Sequence, residues 1–318
     1  MKLSVIIPMF NEERHIARTL ASVRTAAEHA GIACELLVVD NGSTDASSQL
    51  AREAGARVLD GAGLGIGALR NLGARSAQGQ WLAFLDADME MPADWFILGR
   101  NIFEQDRADV FALECAAPAE APWFARSWQL RNQSTGAARL RDWLPSANLC
   151  LSRNWFERVG GFDEQLRTGE DKDLGLRLHA AGARLLLMPT PPALHWGYEA
   201  SWAEWLGKEW WRQGSHLQLL REHPGWRQWR FPLLALAVSA ASLLSLASVL
   251  SIRPDMAFLL LLPGVLIALA LSLRQSWRHR DPLLSLQLAG LHWLRLHLTA
   301  AGLIAALFNH SSRRPARG

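Results

Sequence analysis

Short, largely apolar runs alternate along the first part of the chain with longer stretches in which apolar residues recur every three or four positions. "LSVIIP" (Leu3 to Pro8), "CELLVVD" (Cys34 to Asp40), "ARVLD" (Ala56 to Asp60) and "WLAFLD" (Trp81 to Asp86) are short runs of the first kind, and each predicts a strand. Helical patterns lie between them. "NEERHIARTLASVRTAAEHAG" places Ile16, Leu20 and Val23 on one face and stops at Gly31; a second helix follows the turn "NGSTD" and runs through Ala54; "GLGIGALRNLGARSAQG" is a glycine-opened third. Strands that are apolar throughout, separated by helices, predict an α/β fold with a mostly parallel sheet and helices on both faces.

In such a sheet ligands bind outside the carboxyl ends of the strands. The residues there are Pro8 to Glu12, Asp40 to Thr44, Asp60 to Gly67 and Asp86 to Asp88, all polar, acidic or glycine-rich although the strands that deliver them are not. Together they outline a nucleotide-sized cleft. Asp86 and Asp88, at i and i+2 in extended chain, face the same way, and such oxygen donors suit Mg²⁺ or Mn²⁺. The alternative reading makes Asp88 a cap for the helix opening near "PADWF".

The pattern changes from Phe231 onward. "FPLLALAVSAASLLSLASVLSI" (231–252) carries no charge and as a helix would cross a hydrocarbon core of ~30 Å. "MAFLLLLPGVLIALALSL" (256–273) is uncharged as well, so the two predict a membrane hairpin, with Ser239, Ser242, Ser245 and Ser248 offering a small surface for helix packing. A third stretch, 283–308, contains His292, Arg295 and His297 and is expected to be interfacial, re-entrant or a third span. Upstream, "SWAEWLGKEWWRQGSHLQLLREHPGWRQWR" opens with a capping box, Ser201 and Glu204; its tryptophans and arginines, ahead of a span, predict an interfacial helix over 201–223. The expected organisation is a body over 1–225 and a membrane region over 226–318. The proline and charges after the first apolar run are unlike a signal peptide. Arg227 and Arg230 before the hairpin, with Arg274, Arg278 and Arg280 after it, orient both hairpin ends and the body to the cytoplasmic side.

Composition narrows the picture a little. The sequence pI is about 9.0, yet the formal net charge is only +3 and much of the arginine flanks the apolar runs, which favours anionic lipid over nucleic acid as the partner. Cys34, Cys115 and Cys150 have no metal-site or disulfide spacing and read as core thiols of a reducing compartment.

Four stretches in order, "LSVIIPMFNEERHIARTLASV", "ELLVVDNGSTDAS", "GIGALRNLGARSAQGQWLAFLDADMEMPADW" and "RVGGFDEQLRTGEDKDLGLRLHAAGARL", resemble the successive motifs of family 2 glycosyltransferases with a GT-A fold. The resemblance covers Met1 to about His195. It implies that Asp86 and Asp88 hold a divalent metal, Mn²⁺ or Mg²⁺, on the diphosphate of a UDP-, GDP- or dTDP-sugar. It implies contacts to the nucleotide from Pro8, Asn11, Glu12 and Asp40, with Asn41 standing where the family has a second Asp, and from Arg70 and Asn71 near base and phosphates. Arg70 also offers a fork suited to an anion. In "RTGEDKD" the resemblance implies Asp171 as catalytic base, with Glu170 beside it. An inverting transfer needs one carboxylate to take the acceptor's proton. The competing reading is a capping box over Thr168 to Asp171. His195 stands where family members often have a histidine near the metal or diphosphate, and is equally readable as structural. Residues 116–148 have no clean period and are where such enzymes face the acceptor.

The resulting expectation is a membrane-attached, metal-dependent, inverting hexosyltransferase-type enzyme at a bacterial inner membrane. Its expected acceptor is lipid-linked, such as a polyprenyl-diphosphate glycan in cell-surface or exopolysaccharide synthesis; direct transfer to polyprenyl phosphate is the close variant. Two readings from other classes are a phosphoryl-transfer enzyme using the Asp-x-Asp strand end and a non-catalytic sugar-nucleotide-binding membrane scaffold.

Overall fold

The structure is a computed structural model and describes residues 2–131, 133, 137–212, 226–250 and 254–311. By contact the chain divides into one unit of residues 1–120 and 133–198 and a second of residues 121–132 and 199–318. The segment expected as an interfacial helix thus groups with the C-terminal helices, as does part of the poorly periodic stretch.

The first unit is built on one sheet. Strands β1 (Leu3–Met9), β2 (Cys34–Asp40), β3 (Arg57–Asp60) and β4 (Trp81–Leu85) pair in parallel in the order β3-β2-β1-β4. Helices α1 (Ile16–Ala30), α2 (Ser47–Glu53) and α3 (Ile66–Ser76) connect them, each within a few residues of its expected limits. Gly31, at φ 63°, closes α1. Successive residues of β1 serve opposite faces. Val5, Ile7 and Met9 pack with Ile16, Leu20 and Val23 of α1, while Ile6 packs with Leu69 and Ala74 of α3. A Cβ on Gly73 would stand 2.3 Å from Ile6, so glycine there is what lets α3 lie this close to the sheet.

Beyond β4 the sheet becomes mixed. β5 (Met89–Glu90), helix α4 (Trp95–Glu104), β6 (Val110–Ala116), β7 (Arg139–Arg141), β8 (Asn148–Ser152), helices α6 (Arg153–Arg158) and α7 (Glu170–Ala180), and β9 (Leu185–His195) complete it; α5 (Trp123–Leu130) lies in the second unit. The order continues β4-β8-β6-β9-β5; β8 is antiparallel to β4 and β6, β9 is parallel to β6, and β5 and β7 are antiparallel to β9. The run "ARLLLMP" (183–189) reads in the sequence as a strand of its own. Instead β9 runs on through Pro189, Pro191 and Pro192, because the register shift between Leu113 and Cys115 of β6 falls opposite them and spares the ladder the missing N–H groups.

β6 and β8 share only two residue pairs, Val110 with Leu151 and Phe111 with Cys150. The fully buried Asn148 continues the ladder with its side chain: Oδ1 accepts from the Leu113 N–H at 2.6 Å and Nδ2 donates to the Leu113 carbonyl at 3.1 Å.

The second unit is helical. It holds α5, α8 (Trp202–Trp211), α9 (Trp226–Leu250), α10 (Pro254–Ser276), a 3-10 turn (Trp277–His279) and α11 (Pro282–Ser311). Ser201 caps α8 by accepting from the Glu204 N–H at 3.2 Å, as the capping-box spacing predicts, while the Glu204 side chain returns one residue earlier than the box requires, to the Ala200 N–H at 2.8 Å. The rest of the expected interfacial helix, 213–223, lies outside the described residues. Two helical stretches, Trp229–Leu250 and Met256–Ser276, are long and apolar enough to cross a membrane. Of the four serines expected to favour close packing, Ser245 donates to the Ala257 carbonyl of α10 and Ser239 meets His297 of α11 at 2.9 Å, whereas Ser242 and Ser248 bond back within their own helix. The stretch expected over 283–308 is one continuous helix.

Asn148→Ala should lower the unfolding free energy by about 2 kcal/mol, since it strands the buried Leu113 N–H and carbonyl. Chemical denaturation followed by near-ultraviolet circular dichroism reads this; a change below about 0.5 kcal/mol would mean that water or backbone replaces the amide.

Candidate active site

The carboxyl ends of β1, β2 and β3 stand level, Met9 opposite Asp40 and Asp40 opposite Asp60. Short polar residues tie the loops that leave them. Asn11, at a left-handed φ of 55°, accepts at Oδ1 from the Thr44 N–H (2.8 Å) while its own N–H donates to Ser43 Oγ (2.9 Å). Asp40 accepts from the Ser43 N–H (3.0 Å), from Ser43 Oγ (2.6 Å) and from Ser48 Oγ. Burial works to raise its pKa, but those hydrogen bonds prevail and hold it below the usual carboxylate range. Asn41 accepts from the Gly63 N–H at 2.9 Å, which fastens β2 to the loop before α3. Pro8 is buried within β1, opposite Val39.

Arg70, on α3 and 3% exposed, joins two distant acids. One terminal nitrogen donates to Glu170 Oε1 at 2.6 Å and the other to Asp86 Oδ1 at 2.8 Å. Desolvation favours loss of its proton, yet Asp86 and then Glu170 hold the guanidinium above its ordinary pKa. The fork that suits an anion is thus occupied by the chain's own carboxylates. Asn71, the next residue, is committed elsewhere: Nδ2 donates to the Phe162 carbonyl and to Glu164 Oε1, both at 2.9 Å, and Oδ1 accepts from the Phe162 N–H at 3.0 Å. It fastens the "GGFDE" loop.

Asp86 to Asp88 is not extended chain. Residues 87 and 88 form a turn, closed loosely by Met89 N–H to the Asp86 carbonyl at 3.4 Å, and the two side chains have different partners. Asp86 meets Arg70; Asp88 Oδ2 lies 3.2 Å from His195 Nε2, while its carbonyl accepts from the Trp196 N–H at 2.8 Å. A Cβ on Gly197 would come 1.8 Å from Asp88 Oδ2, so this orientation of Asp88 requires glycine. The capping alternative for Asp88 does not hold, since Asp94 stands at the N-cap of α4. His195 is the last residue of β9 and pairs with Met89.

Glu12 belongs to the same acidic patch. Burial, followed by the nearby Asp88 and Asp86 charges, pushes its carboxyl up to about 7. His15, one turn further on, lies within electrostatic reach of Asp88 and His195, and burial holds its imidazole below the ordinary value. Sequence reasoning missed His15; the signal was its place three residues after Glu12, on the first turn leaving a strand end that already faced the cleft. Among the described residues no three His, Cys, Asp or Glu side chains assemble into a metal cage. The donor set nevertheless fits a hard divalent cation that takes one or two carboxylates and fills its other positions with water and phosphate oxygens. Asp88 and His195 already converge, and the Asp88 and Asp86 charges bear on Glu12 beside them.

Asp171 lies in the first turn of α7. Gly169, at φ 79°, occupies the N-cap and no side chain caps the helix, so the capping-box reading of Thr168 to Asp171 fails. Glu170 next to it is anchored by Arg70. Burial, then the Glu170 charge, pushes the Asp171 carboxyl up to about 7 against the opposing pull of Arg70. A carboxyl so tuned can accept a proton near neutral pH. The thiols have no such chemistry: burial drives Cys34 and Cys115 up to about 12 and Cys150 higher still.

Comparison with known proteins adds an independent line. The sequence profile described as Glycosyl transferase family 2 matches residues 4–162, half of the chain. Glycosyltransferase AglE of Haloferax volcanii is 29% identical over 192 residues, covering 58% of this chain and 63% of that protein. Validoxylamine A glucosyltransferase of Streptomyces hygroscopicus is 30% identical over 240 residues, 62% of this chain and 51% of that protein. The chain thus spans less than two thirds of the length of these relatives. Among solved structures, mannosyltransferase PcManGT of Pyrobaculum calidifontis, in complex with GDP-Man and Mn²⁺, superposes with a TM-score of 0.60 at 16% identity over 96% of this chain and 87% of that one. A fragment of S. aureus TarS in complex with UDP-GlcNAc gives 0.52 at 17% over 88% and 92%. The shared architecture is the GT-A type.

Arg70→Met should cost about 3 kcal/mol of stability, because Glu170 and Asp86 lose the cation that compensates them. Urea denaturation tests this; a loss below about 1 kcal/mol would show that solvent already serves the two carboxylates.

Proposed function

Because the chain belongs to glycosyl transferase family 2, we propose that it transfers a sugar from a nucleotide-sugar donor to an acceptor hydroxyl with inversion at the anomeric carbon. The observation that carries this reading is the Arg70 bridge from Asp86 to Glu170, which ties the acidic strand end to the turn that bears Asp171. Asp171 takes the proton of the acceptor hydroxyl as its oxygen bonds to the anomeric carbon, and the bond from that carbon to the diphosphate breaks. No protein nucleophile takes part.

Asp88, His195 and Asp86 would hold Mg²⁺ or Mn²⁺, which when bound supplies positive charge to the departing diphosphate. Glu12 then lies beside a neutralised patch rather than an acidic one. The nucleotide lies over the level ends of β1 to β3, between the Asn11 loop and the Asp40–Ser43 turn, with Pro8 and Asn41 shaping its floor. PcManGT and TarS, as their complexes record, bind GDP-Man and UDP-GlcNAc, so both a guanine and a uracil donor suit this architecture. The acceptor is lipid-linked in this reading, supported by the two helices long and apolar enough to cross a membrane. A polyprenyl-linked glycan of a bacterial surface or exopolysaccharide pathway, with the catalytic unit on the cytoplasmic side of the inner membrane, fits the arginines that flank those helices. Transfer directly to polyprenyl phosphate is the close variant.

A panel of UDP-, GDP- and dTDP-sugars, offered to membranes holding the full chain with and without Mn²⁺ or Mg²⁺, should give turnover with one nucleotide class and only with the cation; turnover unaffected by chelation would remove the metal from the mechanism. Asp171→Asn should retain donor binding and lose about a thousandfold in turnover, and unchanged turnover would reject the base. With Asp171 raised to about 7, its active, deprotonated form dominates above that pH. Hence kcat/KM should fall about tenfold per pH unit below it and level off above; a profile flat down to pH 5 would point to a different proton acceptor.

A further inference from the structure

Within the second unit an unusual number of arginines gathers around one buried acid. Glu209 of α8 is 1% exposed; Oε1 accepts from Trp128 Nε1 at 2.8 Å and pairs with Arg212, and Oε2 lies 3.7 Å from Arg295 Nε. Arg131, which follows α5, lies with its guanidinium 3.8 Å from the Trp128 ring centroid. Glu199 is nearly as buried and holds Lys208 at 3.1 Å, with Arg212 at 3.8 Å. Among the described residues, four cations (Arg131, Lys208, Arg212 and Arg295) thus meet two carboxylates, and two positive charges are left over.

That surplus is physically costly. Burial and the adjacent Arg295 and Arg212 charges hold the Arg131 guanidinium well below the ordinary arginine range. A third carboxylate would have relieved it, yet none is present among the described neighbours. The cations also remain reachable: the side chains of Arg212 and Arg295 keep 35% and 32% of their surface, whereas the Glu209 beneath them keeps 1%. An acidic floor fixes the guanidinium groups, and among the described residues the cations outnumber the carboxylates that face them. Guanidinium forks match phosphate oxygens in both spacing and charge.

The surrounding surface says where such a phosphate comes from. Trp123 of α5 and Trp202, Trp210 and Trp211 of α8 are each more than 40% exposed, on the two helices that carry or adjoin Arg131, Lys208 and Arg212. Exposed tryptophans in this density, in a unit that also holds two helices of membrane-crossing length, belong at the level of lipid head groups.

We propose that Arg131, Arg212 and Arg295 form a binding site for the phosphate of a lipid head group. The site rests on the membrane attachment of the function proposed above, though not on sugar transfer. The phosphate is either the monoester of a polyprenyl acceptor or the phosphodiester of an anionic phospholipid.

The test uses the full chain in phosphatidylcholine nanodiscs doped with a polyprenyl phosphate in one arm and phosphatidylglycerol in the other, with retained lipid read by native mass spectrometry. Phosphate lipid should be retained over phosphatidylcholine, and the preferred arm identifies the source. Arg131→Gln combined with Arg212→Gln should weaken retention about tenfold. Because that variant is open to a folding defect, Glu199→Gln is the complementary test: it removes a competing carboxylate and should strengthen retention severalfold, a gain that misfolding does not produce. Retention that ignores all three substitutions, or that weakens in Glu199→Gln, would overturn the site. Failure of the unsubstituted chain to insert into the discs would overturn the membrane reading and the site with it, whereas insertion with unselective lipid retention would overturn the site alone.

Discussion

The first unit depends on one guanidinium. Arg70 is buried, and a buried cation is tolerable only where carboxylates complete it. Its partners come from opposite parts of the chain: Asp86 ends the fourth strand, and Glu170 opens a helix one hundred residues further along than Arg70 itself. The electrostatic need of one side chain on α3 therefore fixes the relation between the acidic turn and the helix that bears Asp171. The same arrangement explains two neighbouring carboxyls of different character. Glu170 is satisfied by Arg70, and its charge then works against ionisation of Asp171, which accepts from its own helix's Lys172 N–H at 2.7 Å. A proton acceptor tuned to neutral pH arises beside an ordinary ion pair.

Strands β1, β2 and β4 were legible because their central residues are buried on both faces and so read as apolar runs between helical patterns, whereas β3, only partly buried, was legible from its place in the alternation. What followed was harder to read, for physical reasons. β9 contains three prolines, which normally end a strand, and only the register shift in β6 makes room for them. The link between β6 and β8 runs through a side chain, Asn148, and leaves no periodic trace. The carboxylates at 86 and 88 were recognisable by type, but extended geometry was the wrong premise, since a turn gives them separate partners. Asn71 shows the same limit: its type and position were readable, while its commitment to Phe162 and Glu164 depends on a loop some ninety residues away. Side-chain chemistry shows in a sequence; the pairing of distant side chains does not.

The second unit was legible in a complementary way. Apolar length announced α9 and α10, and capping chemistry announced α8. The grouping of α5 with these helices had no local signal, because its eight residues are tied to them by pairs such as Ser127 with Gln287 and Trp128 with Glu209, which are far apart in the chain. The charged and polar residues that made the third apolar stretch ambiguous likewise have protein partners: His292 meets Gln275, Arg295 lies by Glu209, and His297 meets Ser239.

The late position of β9 has a consequence for synthesis. A ribosome delivers the strand ends in chain order, and the loops after β1, β2 and β3, together with Asp86 and Asp88, belong to local strand–helix units that can form as they emerge. Glu170, Asp171 and His195 come last, beyond the residue at which the family profile ends. Until they arrive Arg70 has one carboxylate instead of two, and Asp88 lacks the imidazole that faces it. In the proposed mechanism, a nascent chain stopped at that stage would present the loops assigned to the nucleotide without the group assigned to accept the proton, so the order of translation separates the making of the cleft from the making of the catalyst.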